Sequence, residues 1–78
     1  MITDVRLPSG DVGLKRSVGR WFKRAGDTVS RDEPLVEINT VDVTDEILAP
    51  ASGVLTTVLI KDGQSVEPGA VLGQITAF

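Results

Sequence analysis

The apolar positions of this chain fall in short runs, and no stretch repeats them at helical spacing. Gly, Pro, Asp and Ser separate the runs, and several runs alternate apolar with polar residues. That pattern predicts an all-β protein. Strands are expected near 3–7, 17–23, 35–40, 43–48, 53–61 and 71–77, with shorter pieces around 28–30 and 65–67. Turns are signalled at Pro8-Ser9-Gly10, Ala25-Gly26-Asp27, Asp32-Glu33-Pro34, Ala49-Pro50-Ala51-Ser52-Gly53, Lys61-Asp62-Gly63 and Glu67-Pro68-Gly69.

An internal repeat organises these strands. Shifting the sequence by 37 residues sets Gly26 on Gly63, Val29 on Val66, Leu35 on Leu72 and Ile38 on Ile75, without a gap. Arg24 then meets Lys61, Thr28 meets Ser65 and Glu37 meets Gln74. Neither half could bury its apolar side alone, so two similar β-units should face each other. Two four-stranded antiparallel sheets packed into a flattened barrel satisfy that requirement. Gly26 and Gly63 are expected to supply turn conformations that other residues would strain.

Between the halves lies a hairpin. Val36 and Ile38 alternate with Glu37 and Asn39 on the way in, and Val43 and Ile47 flank Asp45 on the way out. The simplest connection is a tight turn centred on Val41 and Asp42. A type I′ turn would need positive φ at both, which β-branched Val41 resists, so a type I turn is expected. Both side chains should then project into solvent at an extremity of the molecule.

Composition narrows the chemistry. Seventy-eight residues allow one domain, covering residues 1–78. There is no Cys and no His, which removes disulfides, thiolate nucleophiles, the commonest general base and the commonest transition-metal ligands. A zinc site would have to rest on carboxylates alone, and no Asp-x-Asp-x-Asp-Gly loop offers a Ca²⁺ site, so no metal and no catalytic residue is expected. No run reaches the roughly 20 apolar residues of a membrane span, and the N-terminus lacks the pattern of a signal peptide. A soluble protein of the cytoplasm, or of an organelle matrix after loss of a transit peptide, is expected.

The net charge of −3 conceals an asymmetry: residues 1–31 hold seven of the eight Lys/Arg, and residues 32–78 hold eight of the eleven acids. Lys15, Arg16, Arg20, Lys23 and Arg24 could attract an anionic partner, although a solvated face with neighbouring acids is the plainer reading. With Trp21, Phe22 and Phe78 as the only aromatics, a base-stacking platform lacks support. Trp21 reads as a core residue rather than a ligand platform.

Three stretches carry a resemblance: Val18 to Val29, Pro34 to Thr40, and Ala49 to Leu55. The closing segment Lys61 to Ile75 joins them. They are similar to the lipoyl domains of 2-oxo acid dehydrogenase dihydrolipoamide acyltransferases, within the biotinyl/lipoyl attachment family, over nearly the whole chain. The resemblance implies a non-catalytic domain whose hairpin tip presents a lysine joined to lipoate as a swinging arm. The chemistry would belong to the cofactor and partner enzymes. It further implies as partners a 2-oxo acid decarboxylase, a dihydrolipoamide dehydrogenase and the acyltransferase core, with neither nucleic acid nor membrane, and a monomeric isolated domain.

Here the sequence departs from the family. The tip reads Thr40-Val41-Asp42-Val43, so the cofactor-attachment lysine falls on Asp42 and the family's preceding Asp falls on Val41. A carboxylate cannot form the amide with lipoate or biotin, so no cofactor is expected on this chain. Thr40 and Val43 at the tip, with Asp11, Lys15 and Arg16 in the adjoining loop, are the positions where the resemblance implies partner recognition. That loop is basic, Ser9 to Arg16, where many relatives are acidic. Three readings of Asp42 stay open: a divergent domain relieved of cofactor duty, a tip altered by engineering, or a biotin carrier-like domain. The last fits least, because biotin carriers read Met-Lys-Met at the tip. A non-carrier structural or interaction module on the same barrel is the alternative function. Adaptors that insert a long helical hairpin at the tip are disfavoured by the short turn.

Overall fold

The computed structural model describes residues 1–8 and 15–78. Eight strands follow in order: β1 (Ile2–Arg6), β2 (Arg16–Trp21), β3 (Thr28–Val29), β4 (Pro34–Asn39), β5 (Thr44–Leu48), β6 (Gly53–Val58), β7 (Ser65–Val66) and β8 (Val71–Ala77). They form two four-stranded antiparallel sheets, ordered β1-β8-β6-β3 and β5-β4-β2-β7. The anticipated strands are all present, with the expected 53–61 and 17–23 strands ending early at Val58 and Trp21. The turn expected at Pro8-Ser9-Gly10 runs into residues outside those described.

The repeat governs the topology. Adding 37 converts β2, β3 and β4 into β6, β7 and β8, and β1 answers to β5, so each sheet maps onto the other by a pseudo-twofold. The hydrogen bonds obey it. Gly26 donates its N–H to the Leu55 carbonyl at 2.7 Å, and Gly63 donates to the Val18 carbonyl at 2.7 Å. Each half's Gly turn therefore fastens the other half's long strand. Both glycines take positive φ, 99° and 83°, which an L side chain strains to adopt.

Irregularities repeat as well. The β2–β4 register slips between Val18 and Arg20, and the β6–β8 register slips between Leu55 and Thr57. Opposite β5 the register passes from Pro34 to Val36, leaving Leu35 as the extra residue of a bulge. A bulge breaks the two-residue alternation, so Leu35 and Val36 are both fully buried despite being neighbours. Leu72 occupies the equivalent place opposite β1.

The core lies between the sheets, and its members come largely in pairs 37 apart: Val18 with Leu55, Val29 with Val66, Leu35 with Leu72, and Ile38 with Ile75. Burying each such side chain contributes about 1.5–3 kcal/mol. Trp21 is half-buried, packs against this cluster, and donates its indole N–H to the Ile60 carbonyl at 2.8 Å. No side chain in the described core is polar or charged.

Candidate functional site

The hairpin joining β4 to β5 holds the tip positions read from the sequence, Thr40 to Val43. Asn39 faces Thr44 in register, and the Thr44 hydroxyl donates to Asn39 Oδ1 at 3.0 Å. One step further out, Thr40 N–H donates to the Val43 carbonyl at 2.8 Å. The Thr40 hydroxyl closes the turn from both sides: Oγ1 donates to the Val43 carbonyl at 3.0 Å and accepts the Val43 N–H at 3.1 Å. Neither Val41 nor Asp42 has positive φ, which excludes the type I′ turn. The side chain of Thr40, rather than a pair of glycine-like residues, therefore stabilises the tip.

Above this clasp the apex is open to solvent. Val41 is 86 % exposed and Val43 56 % exposed, with Asp42 exposed between them. Two large exposed aliphatic groups at a turn forgo burial that would stabilise the fold, and they leave a patch available for contact. The tip offers a hydroxyl, a carboxylate and two isopropyl groups, and no amine.

Beside the hairpin, a cleft of about 360 Å³ separates β5 from the start of β2. Leu7, Ile38 and Ile47 line it with apolar surface, while Arg16, Asp45 and Glu46 supply its charges. Arg16 is half-buried at the start of β2, where it reaches the Pro8 carbonyl at 3.5 Å, whereas Lys15 is exposed. Asp11 lies outside the described residues. Of the positions read from sequence, Thr40 to Val43 thus sit together on the tip, and Arg16 borders the adjoining cleft. Among the described residues, no group of three or more His, Cys, Asp or Glu side chains converges as a metal site would require.

The run of basic residues does not act as one patch. Arg20 lies over the Phe22 ring at 5.1 Å, and Lys23 pairs with Glu33 at 3.0 Å. Glu33 also accepts the Ser30 N–H at 2.9 Å. This backbone bond, followed by the Lys23 ammonium, holds its carboxyl below the ordinary glutamate range. Sequence reasoning missed the Asn39–Thr44 bridge and the Thr40 clasp. The Asn and Thr flanking the turn were the available signal.

The profile of the biotin/lipoyl family, described as biotin-requiring enzyme, matches residues 3–75. The chain belongs to that family. Over 78 residues, 99% of its length, the lipoyl-type chain is 42% identical to the dihydrolipoyllysine-residue succinyltransferase component of the 2-oxoglutarate dehydrogenase complex of Bartonella vinsonii subsp. berkhoffii. It is 38% identical over 94% of its length to the dihydrolipoyllysine-residue acetyltransferase component of the pyruvate dehydrogenase complex of Corynebacterium glutamicum. The chain spans 19% and 11% of those two proteins. Its structure superimposes on the solution structure of the lipoyl domain of the Azotobacter vinelandii 2-oxoglutarate dehydrogenase complex with a TM-score of 0.77, at 35% identity and 94% coverage of both chains. The architecture is therefore that of a lipoyl domain, a unit that in its homologues is a carrier attached to a larger acyltransferase and not a catalyst by itself.

Proposed function

We propose that this lipoyl domain presents its hairpin tip to protein partners without carrying lipoate there. Asp42 carries the proposal: it stands exposed at the apex of a turn whose clasp is intact, where covalent attachment would need an amine. An aspartate carboxylate would have to condense with a second carboxylate, and no amide results. The tip is thus preserved as a presented surface while the chemistry of attachment is lost.

The relatives' names support a place in a 2-oxo acid dehydrogenase complex. A decarboxylase, a dihydrolipoamide dehydrogenase and an acyltransferase core are the partners that this reading implies. Because those names include both a succinyltransferase and an acetyltransferase, they do not choose between 2-oxo acids. With that reading goes a location in the cytoplasm or an organelle matrix. The competing reading, an interaction module outside such complexes, draws on the same missing amine.

One experiment separates them. The chain and its Asp42→Lys variant are co-expressed with a lipoate ligase and their intact masses measured. No adduct is expected on the parent chain, and an adduct there would overturn the reading of the tip. The variant should gain one lipoyl group and then accept an acyl group from a 2-oxo acid decarboxylase. A lipoylated variant refused by decarboxylases would instead favour the interaction module.

A further inference from the structure

A second groove, of about 430 Å³, lies where the two halves' Gly turns approach each other. Four of its six lining residues come in pairs. Trp21 and Val58 are repeat equivalents, as are Arg24 and Lys61, so the pseudo-twofold passes through the groove. Lys61 is the only cation after residue 31, and the fold sets it beside Lys23 and Arg24 from the basic half of the chain.

Three acids stand nearby, and one of them, Asp62, lines the groove, so its walls carry Lys23, Arg24 and Lys61 against a single carboxylate. Glu33 holds Lys23 at 3.0 Å. Asp27 accepts the Arg24 backbone N–H at 2.8 Å, and Asp62 accepts the Trp21 backbone N–H at 3.1 Å. Among the described residues, no carboxylate lies within ion-pair distance of the Arg24 guanidinium or the Lys61 ammonium. The floor is fixed and apolar. The indole N–H of Trp21 is bonded to Ile60, and its ring comes within 3.0 Å of where a Cβ on Gly73 would stand.

We propose that this groove docks a short acidic and partly apolar segment of a partner protein. Its carboxylates would bridge Arg24 and Lys61 while an apolar side chain rests on Trp21 and Val58. Two unpaired cations on opposite walls suit two carboxylates, and charge-assisted hydrogen bonds from guanidinium and ammonium are the strong kind. A nucleic acid suits the groove less. Trp21 is the single aromatic ring in its lining, and a platform that stacks successive bases needs more than one. This inference does not depend on the state of the hairpin tip.

Trp21 is the only tryptophan, so its emission reports the groove directly. The intact chain is titrated with a capped Glu-Glu-Leu-Glu-Glu peptide, following Trp21 fluorescence and, in parallel, heat by calorimetry. Saturable binding is expected, and it should collapse in about 1 M salt, where the Debye length is about 3 Å. The Arg24→Gln/Lys61→Gln variant should bind at least about tenfold more weakly, as the loss of paired interfacial charges predicts. The Arg6→Gln/Arg31→Gln variant removes equal charge elsewhere and should bind like the parent. Three results would each overturn the proposal: no saturable signal by either method, equal affinity in the two double variants, or tighter binding of oligothymidylate than of the peptide.

Discussion

Asp32 has φ of 69°, alone among the described non-glycine residues in the left-handed region. Its repeat equivalent is Gly69, at 82°. Each donates its N–H to the neighbouring segment, Asp32 to the Ala49 carbonyl and Gly69 to the Leu7 carbonyl, both at 2.9 Å. The same turn is thus built once with glycine and once with an aspartate, which tolerates that region better than most side chains. Gly69→Ala should cost about 1–2 kcal/mol, because it introduces the left-handed penalty afresh. Asp32→Ala should cost only a few tenths of that, since a Cβ is already accommodated there. Urea unfolding of both variants checks the contrast, and equal losses would contradict it. At the tip, the residue scale carries the proposed function: Asp42 sets an exposed carboxylate, and no amine, at the turn.

At the scale of elements, the connection from β3 to β4 shows how charge is used locally. Glu33 N–H donates to the Ser30 carbonyl at 3.0 Å while its carboxylate accepts the Ser30 N–H, and its own carbonyl accepts from Ala49 at 2.8 Å. The equivalent position in the second half is Ala70, which keeps the backbone bond to Glu67 but has no carboxylate. The Glu33 carboxyl is held below its ordinary range by the Ser30 N–H first and Lys23 second. A carboxyl depressed in the folded state adds stability above its ordinary unfolded value, and that stability is lost as pH falls through the folded value. Glu33→Gln should therefore lower Tm near neutral pH, with the gap to the parent closing in acid. Thermal melts across a pH series measure it, and a gap of constant size would contradict the assignment.

For the molecule as a whole, the pseudo-twofold extends to the chain ends. Ala77 donates its N–H to the Met1 carbonyl at 2.8 Å, the counterpart of Thr40 donating to Val43 at the hairpin. The exposed apolar residues follow the same symmetry, with Phe78 85 % exposed in the place of Val41. Joining residue 78 to residue 1 through a short glycine linker and opening the chain between Val41 and Asp42 should give a circular permutant with the same two sheets. Because loop-closure entropy varies slowly with length, its stability should stay within about 2 kcal/mol of the parent. Circular dichroism and denaturant unfolding test this; loss of cooperative unfolding would show that the continuous hairpin is indispensable. The symmetry is broken where Trp21 replaces the small Val58 of the other half. In register Trp21 faces Val36 and Val58 faces Gly73, and the Trp21 ring also comes within 3.0 Å of where a Cβ on Gly73 would stand.

By itself, the sequence determined the all-β class, the strand positions, the repeat and the turn that displays Val41 and Asp42, because local alternation, Gly turns and apolar pairing at a spacing of 37 are all linear properties. It also determined that the tip has no amine. Family resemblance read from the same residues anticipated the lipoyl fold that the comparisons bear out. Tertiary structure decided what depends on contacts between segments distant in sequence. The bulge at Leu35 buried two neighbours that alternation would have placed on opposite faces. The Thr40 hydroxyl was committed to the turn. An apparently continuous basic run was divided among Phe22, Glu33 and two clefts, while Lys61 was carried across the pseudo-twofold to stand opposite Arg24. Charge and periodicity are written along the chain, but which charges meet is set by the packing of one half on the other.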